Sequence, residues 1–165
     1  AQKEGIIHMN EYERLCALLK IWAENLSVLH HNLVGGNWFS DHERLGDYYE
    51  KLADITDAVI ERGLSLGYRE PTISEAVLAF SGDVLSAENR NARESFAAVR
   101  ACFRSIAGMM AAVGPETPPD VQNKLQEWQY WLNLEADYKL ARLLDEMPGG
   151  HKMGFRRPEP VDDDD

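Results

Sequence analysis

Between Met9 and Leu33 the apolar side chains fall at Tyr12, Leu15, Leu19, Trp22, Leu26, Leu29 and Leu33, in steps that alternate between three and four residues. An α-helix turns once in about 3.6 residues, so this spacing draws one unbroken apolar stripe and predicts a long helix packed in a bundle. The pattern recurs three more times. Leu45, Tyr48, Leu52, Ile55 and Val59 mark a second helix that ends near Gly67. Leu85, Ala92, Phe96, Val99, Phe103, Ile106, Met110 and Val113 mark a third. Leu125, Trp128, Leu132, Tyr138 and Leu143 mark a fourth, from about Asp120 to Glu146. No strand-like alternation and no repeat of solenoid length competes with this reading.

The breaks between stripes set the topology. Gly35-Gly36-Asn37 ends the first helix, and Ser40 with Glu43 three residues on reads as a capping box for the second. Gly114-Pro115 through Pro118-Pro119 forms a rigid turn between the third and fourth helices. Residues 68–82 form a longer crossover, in which Pro71-Thr72 starts a short amphipathic helix from Ile73 to Phe80 and Ser81-Gly82 closes it. Two short links and one long middle link make an up-down-down-up arrangement, and a long crossover between helices two and three is the topology of ferritin-like bundles. The expected fold is therefore all-α: a ferritin-like four-helix bundle over residues 1–146, with a short helix in the crossover and a C-terminal tail at 147–165.

Composition narrows the classes of function. A chain of 165 residues suits one domain with a full core. Its net charge of −11 repels nucleic acid and anionic lipid and attracts cations, which argues against direct DNA binding. Cys16 and Cys102 sit inside apolar helical patterns with no CxxC motif, as free buried thiols of a reducing compartment do. No apolar run approaches the roughly 20 residues of a membrane span and no signal peptide is expected, so the predicted location is cytoplasmic.

The chemistry concentrates in four residues. His30 and His42 stand twelve residues apart on the first two helices, and Asp57 and Glu61 follow one helical turn apart on the second. All four are metal-ligand types, and imidazole with carboxylate suits iron, zinc or manganese better than calcium or magnesium. If 42–64 is continuous helix, His42 lies roughly 22 Å along the axis from Asp57. One chain cannot easily bring both pairs to one metal, whereas a second copy running antiparallel can. The other way of building a metal centre in such a bundle uses Glu-x-x-His pairs on core-facing helices. None of the five histidines has Glu three residues before it.

The stretch His30-His31-Asn32-Leu33-Val34-Gly35, then Trp38, His42, Asp57, Glu61-Arg62 and Leu66-Gly67, resembles the mini-ferritin (Dps, DNA-protection-during-starvation) family. In that family a histidine, a tryptophan, an asparagine and a glycine end the first helix. An aromatic and a second histidine twelve residues after the first come next, and the second helix carries an aspartate and a glutamate followed by arginine. The match covers residues 26–67, the helix plan extends it to about residue 145, and Leu134-Glu135 is similar as well. The resemblance implies that His30 and His42 of one subunit and Asp57 and Glu61 of its two-fold mate bind ferrous iron for oxidation by hydrogen peroxide or oxygen. It implies a ferroxidase that protects against oxidative damage, in a homo-oligomer of twelve subunits built from two-fold dimers, whose hollow shell stores the ferric product. Zinc and manganese are alternative occupants of the same site.

Three departures qualify that expectation. The family's aspartate four residues after the second histidine is Gly46 here, and Asp47 is turned by about 100° on an ideal helix, so the site loses one anionic ligand. The tryptophan after the first histidine is His31, read as a surface or packing residue. No basic N-terminal arm is expected, and the tail carries the acidic run Asp162 to Asp165. The alternative function is a ferritin-like structural or interaction protein with a weakened or lost iron centre. Within the tail, His151 to Pro158 forms a basic-aromatic patch that reads as a solubilising end or as a segment docking on a neighbouring subunit or other assembly, with Phe155 as its plug.

Overall fold

The computed structural model of the protein describes residues 8–147, so the basic-aromatic patch and the acidic end of the tail lie outside the described residues. Helix α1 (Glu11–His31) starts on a capping box in which the Asn10 side chain accepts from the Glu13 amide and Glu13 reaches back to the Asn10 N–H. Helix α2 (Trp38–Ser65) runs back along it, after a turn whose Gly35 adopts φ +138°, a conformation open to glycine. The crossover carries the short α3 (Ile73–Ala79), N-capped by Thr72. Helix α4 (Ala92–Val113) begins beside the end of α1, where Leu33 and Arg90 pair, and descends antiparallel to α1, against which it packs. A Gly114–Glu116 turn leads into α5 (Pro119–Leu134), which rises and continues without a break through a π-helical segment, Glu135–Leu140, into α6 (Ala141–Glu146). The order is up-down-down-up with the long connection in the middle, as expected of a ferritin-like bundle, and no strand occurs among the described residues.

The predicted stripes form the core. Leu15, Leu19, Leu26 and Leu29 of α1 meet Leu45, Leu52 and Ile55 of α2, Phe96, Phe103, Ile106 and Met110 of α4, and Leu125 and Leu132 of α5, all nearly inaccessible. Helix α4 has the length and mean hydropathy (1.4) of a membrane span over Ala92–Glu116, contrary to the expectation that no segment does. Its apolar side is nevertheless spent on the bundle core. Its arginines hold the last helix by backbone and side chain: Arg93 donates to the Leu144 carbonyl, Arg100 to the Ala136 carbonyl and Arg104 to Asp137.

Polar residues of α1 tie down the crossover. Buried Glu13 accepts from the Arg69 amide, Lys20 donates to the Pro71 carbonyl and pairs with Glu70, and Asn25 bonds both the Asp83 carbonyl and the Leu85 amide. The Asn25 bonds, with the pairing of Arg90 to Asn32 and Val34, hold the backbone leading to α4 out of helix. The third long helix accordingly starts at Ala92 on an Asn91 cap rather than near Leu85. Two further expectations change. Ser40 does not cap α2: the helix already begins at Trp38, and the Ser40 hydroxyl donates back to the Asn37 carbonyl. Tyr138 is exposed rather than inward: it lies six residues past Leu132, about 240° around an α-helix, and the buried positions through the π-helical segment are Leu132, Ala136, Leu140 and Leu144. At the start of that segment the buried Glu135 accepts from the Tyr48 hydroxyl at 2.8 Å and from Lys139.

Two glycines inside α2 let α1 come close. A Cβ on Gly63 would stand 2.5 Å from Tyr12, whose buried hydroxyl donates to the Val59 carbonyl at 2.7 Å. Gly63→Ala should therefore destabilise the fold by about 1–2 kcal/mol in chemical denaturation, overpacking outweighing the better helix propensity of alanine. Both cysteines are free and buried, and burial pushes the Cys16 thiol up to about 12 and the Cys102 thiol well above its ordinary range. Neither thiol should react with a disulfide reagent in the native protein at pH 8, and both should react in denaturant.

Candidate metal half-site

His30 ends α1 and His42 lies in the first turns of α2, and the turn between them brings the two rings face to face, 3.9 Å between centroids and 17° between planes. Each ring also reaches the other's backbone. His30 Nδ1 bonds the His42 carbonyl at 3.0 Å and His42 Nδ1 bonds the His30 carbonyl at 2.9 Å. A carbonyl only accepts, so in the neutral rings both Nδ1 atoms carry the proton and both Nε2 atoms keep a lone pair. Fixing one ring nitrogen on a carbonyl so that the other can ligate is how metal-binding histidines are usually oriented.

Aromatic rings extend the stack on both sides. Trp38 lies on His42 at 4.2 Å and 14°, anchored by its indole N–H to the Leu33 carbonyl at 2.8 Å. Tyr49 stands parallel to His30 at 6.3 Å. Trp38 appears in the sequence pattern only as an aromatic between the histidines, and Tyr49 carries no signal at all beyond lying three residues past Gly46. His31 is exposed and touches Ser27, in keeping with a surface role.

Gly46 has a steric reason to be glycine. In a helix interior glycine costs about 1 kcal/mol against alanine, yet a Cβ here would stand 3.0 Å from His30 Cε1. A side chain at 46 would press on the edge of the His30 ring.

Asp57 and Glu61 lie exposed further down α2, away from the histidines, as the helix rise requires. The structure thus brings His30 and His42 together and leaves Asp57 and Glu61 apart from them. Among the described residues no three ligand-type side chains are grouped closely enough to hold an ion. The two carboxylates belong to an exposed acidic row, Glu43, Asp47, Glu50, Asp54, Asp57 and Glu61, spaced four and three residues apart. None of the six forms an ion pair among the described residues. Such a row raises the local concentration of cations. Because nearly parallel stacked rings direct their in-plane lone pairs along separate lines, both imidazoles reach one ion only if one of them turns.

Burial, and then the neighbouring His42, hold the His30 imidazole below its ordinary pKa of 6.5, against the opposing effects of the His42 carbonyl and Glu50. The ring is neutral and able to ligate at pH 7. The unfolded chain takes up this proton at higher pH than the folded chain does. Its contribution to stability is therefore complete above 6.5 and is lost as pH falls through the lowered folded value. In metal-free protein, NMR titration should place the His30 midpoint below 6.5, and the melting temperature should fall as pH drops from 7 towards 5.

No protein-family model and no curated protein matches the sequence at a significant level. Solved structures do share its fold. Dps92 from Deinococcus radiodurans matches with a TM-score of 0.74 at 19% identity, over 88% of this chain and 90% of that one. Antigen TpF1 from Treponema pallidum matches at 0.74 and 19%, over 81% and 88%, and Mycobacterium smegmatis Dps at 0.63 and 18%, over 76% and 83%. The chain has the ferritin-like fold of the Dps proteins.

Proposed function

We propose that the protein is a mini-ferritin, in which His30 and His42 of one subunit and Asp57 and Glu61 of a second copy bind ferrous iron as substrate. Hydrogen peroxide or oxygen oxidises the iron, and a hollow homo-oligomeric shell, a dodecamer by analogy, stores the ferric product. The observation that carries this reading is the His30–His42 pair, whose Nδ1 atoms are committed to carbonyls and whose Nε2 atoms are free to donate. Two imidazole nitrogens with two carboxylates form a donor set suited to iron, and also to zinc or manganese. The exposed acidic row supports delivery of a cation to that end of α2.

Gly46 favours a second reading: a ferritin-like shell or interaction protein whose iron centre is weakened, since the position one turn after His42 offers no ligand. Anaerobic Fe²⁺ titration followed by stopped-flow mixing with peroxide separates the two. The mini-ferritin reading expects saturable binding, and a loss of oxidation rate of about tenfold or more in His42→Ala and in Glu61→Ala. An assembled shell that binds no iron, with both variants unchanged, would establish the second reading instead. Native mass measurement that finds a stable monomer removes the shared site.

A further inference from the structure

We propose that Glu50 is a further metal ligand of this half-site, closing on Nε2 of His30 across the gap that Gly46 leaves in α2. The inference rests on the metal-binding reading of His30 and deepens it, because it supplies an anionic ligand from the same subunit.

The order of atoms around the His30 ring sets the direction. Nδ1 lies on the His42 carbonyl at 3.0 Å, and Cε1, Nδ1 and Nε2 come within 3.0, 3.5 and 3.7 Å of where a Cβ on residue 46 would be, so Cε1 sits over that position with a ring nitrogen to either side. Nε2 therefore emerges on the side of Cε1 away from that carbonyl. Glu50 stands one helical turn beyond Gly46 on the same face of α2. Side chains on a helix lean towards its N-terminus, which aims a long side chain at 50 back over position 46. Any side chain at 46 would stand in that path, and glycine leaves it open. Tyr49, parallel to the His30 ring, forms the adjoining wall.

Glu50 is also uncommitted. It is exposed and makes no hydrogen bond or ion pair among the described residues, so turning inward breaks nothing. Its charge already acts on His30, where it favours the cationic ring. A carboxylate beside a neutral imidazole suits a divalent first-row ion, and it offsets the charge of that ion within one subunit.

The test is Co²⁺ binding to the full-length assembled protein, followed by visible absorption and calorimetry, in wild type, Glu50→Gln, Asp54→Asn and His30→Ala. Asp54 lies on the same acidic row, and its replacement removes the same charge without a ligand aimed at His30. The expected result is affinity at least about tenfold weaker with an altered cobalt spectrum in Glu50→Gln, and less than twofold weakening with an unchanged spectrum in Asp54→Asn. Equal weakening in both variants would make Glu50 a contributor to the general field and overturn the proposal, as would unchanged binding in Glu50→Gln. If His30→Ala abolishes binding while Glu50→Gln does not, the inference falls and the His30 site stands. If wild type shows no saturable binding, both fall.

Discussion

The close approach of α1 to α2 is the constraint on which the rest of the molecule depends. At one end of the pair Tyr12 lies across Gly63, and at the other His30 lies across Gly46. Each contact falls on a glycine in the interior of a long helix, where glycine is otherwise unfavourable; a Cβ would clash outright at Gly63 and press on the ring at Gly46. Each ring is then held by a hydrogen bond to an α2 carbonyl, Tyr12 to Val59 and His30 to His42. Two rings seated on bare backbone fix the spacing and the register of the pair. The remaining helices pack against a platform whose position is already determined, and the histidine stack is a direct product of that register.

The fold was largely legible in the sequence, because side chains spaced three and four residues apart can be buried only along one face of a helix. The crossover was less so. Leu85 continues the apolar rhythm of α4, but Asn25 of α1 captures the backbone there, and a hydrogen bond from a distant residue leaves no trace in local periodicity. Tyr138 misled because an aromatic ring is a core residue by type, whereas six residues past Leu132 is about 240° around an α-helix and faces away from the core. Of the four candidate ligands, the sequence spacing correctly separated His30 and His42 from Asp57 and Glu61. The reciprocal carbonyl bonds that set the tautomers were not legible, since they depend on how two helix ends face one another.

Position 46 shows why a ligand pattern cannot be read one residue at a time. By sequence it is a missing carboxylate. In three dimensions it is the floor on which an imidazole rests, and a Cβ placed there would stand 3.0 Å from that ring and make it give slightly. The histidine pair is therefore an arrangement of its own, in which the positions of His30, His42 and Gly46 are bound together by contact. Single changes at any of them carry consequences for the other two.

The turn that joins α1 to α2 is completed by residues from far along the chain. The Val34 amide donates to the Arg90 carbonyl, and the Arg90 amide donates to the Asn32 carbonyl. The helical pair itself is a local hairpin of the kind that forms quickly, whereas this stitch closes a long loop and must come later. On loop length alone, the two histidines are expected to come near each other early, and the backbone between them to be locked only when the crossover has been laid down and α4 is ready to start. A chain still being assembled would thus hold its histidines close without yet holding them still.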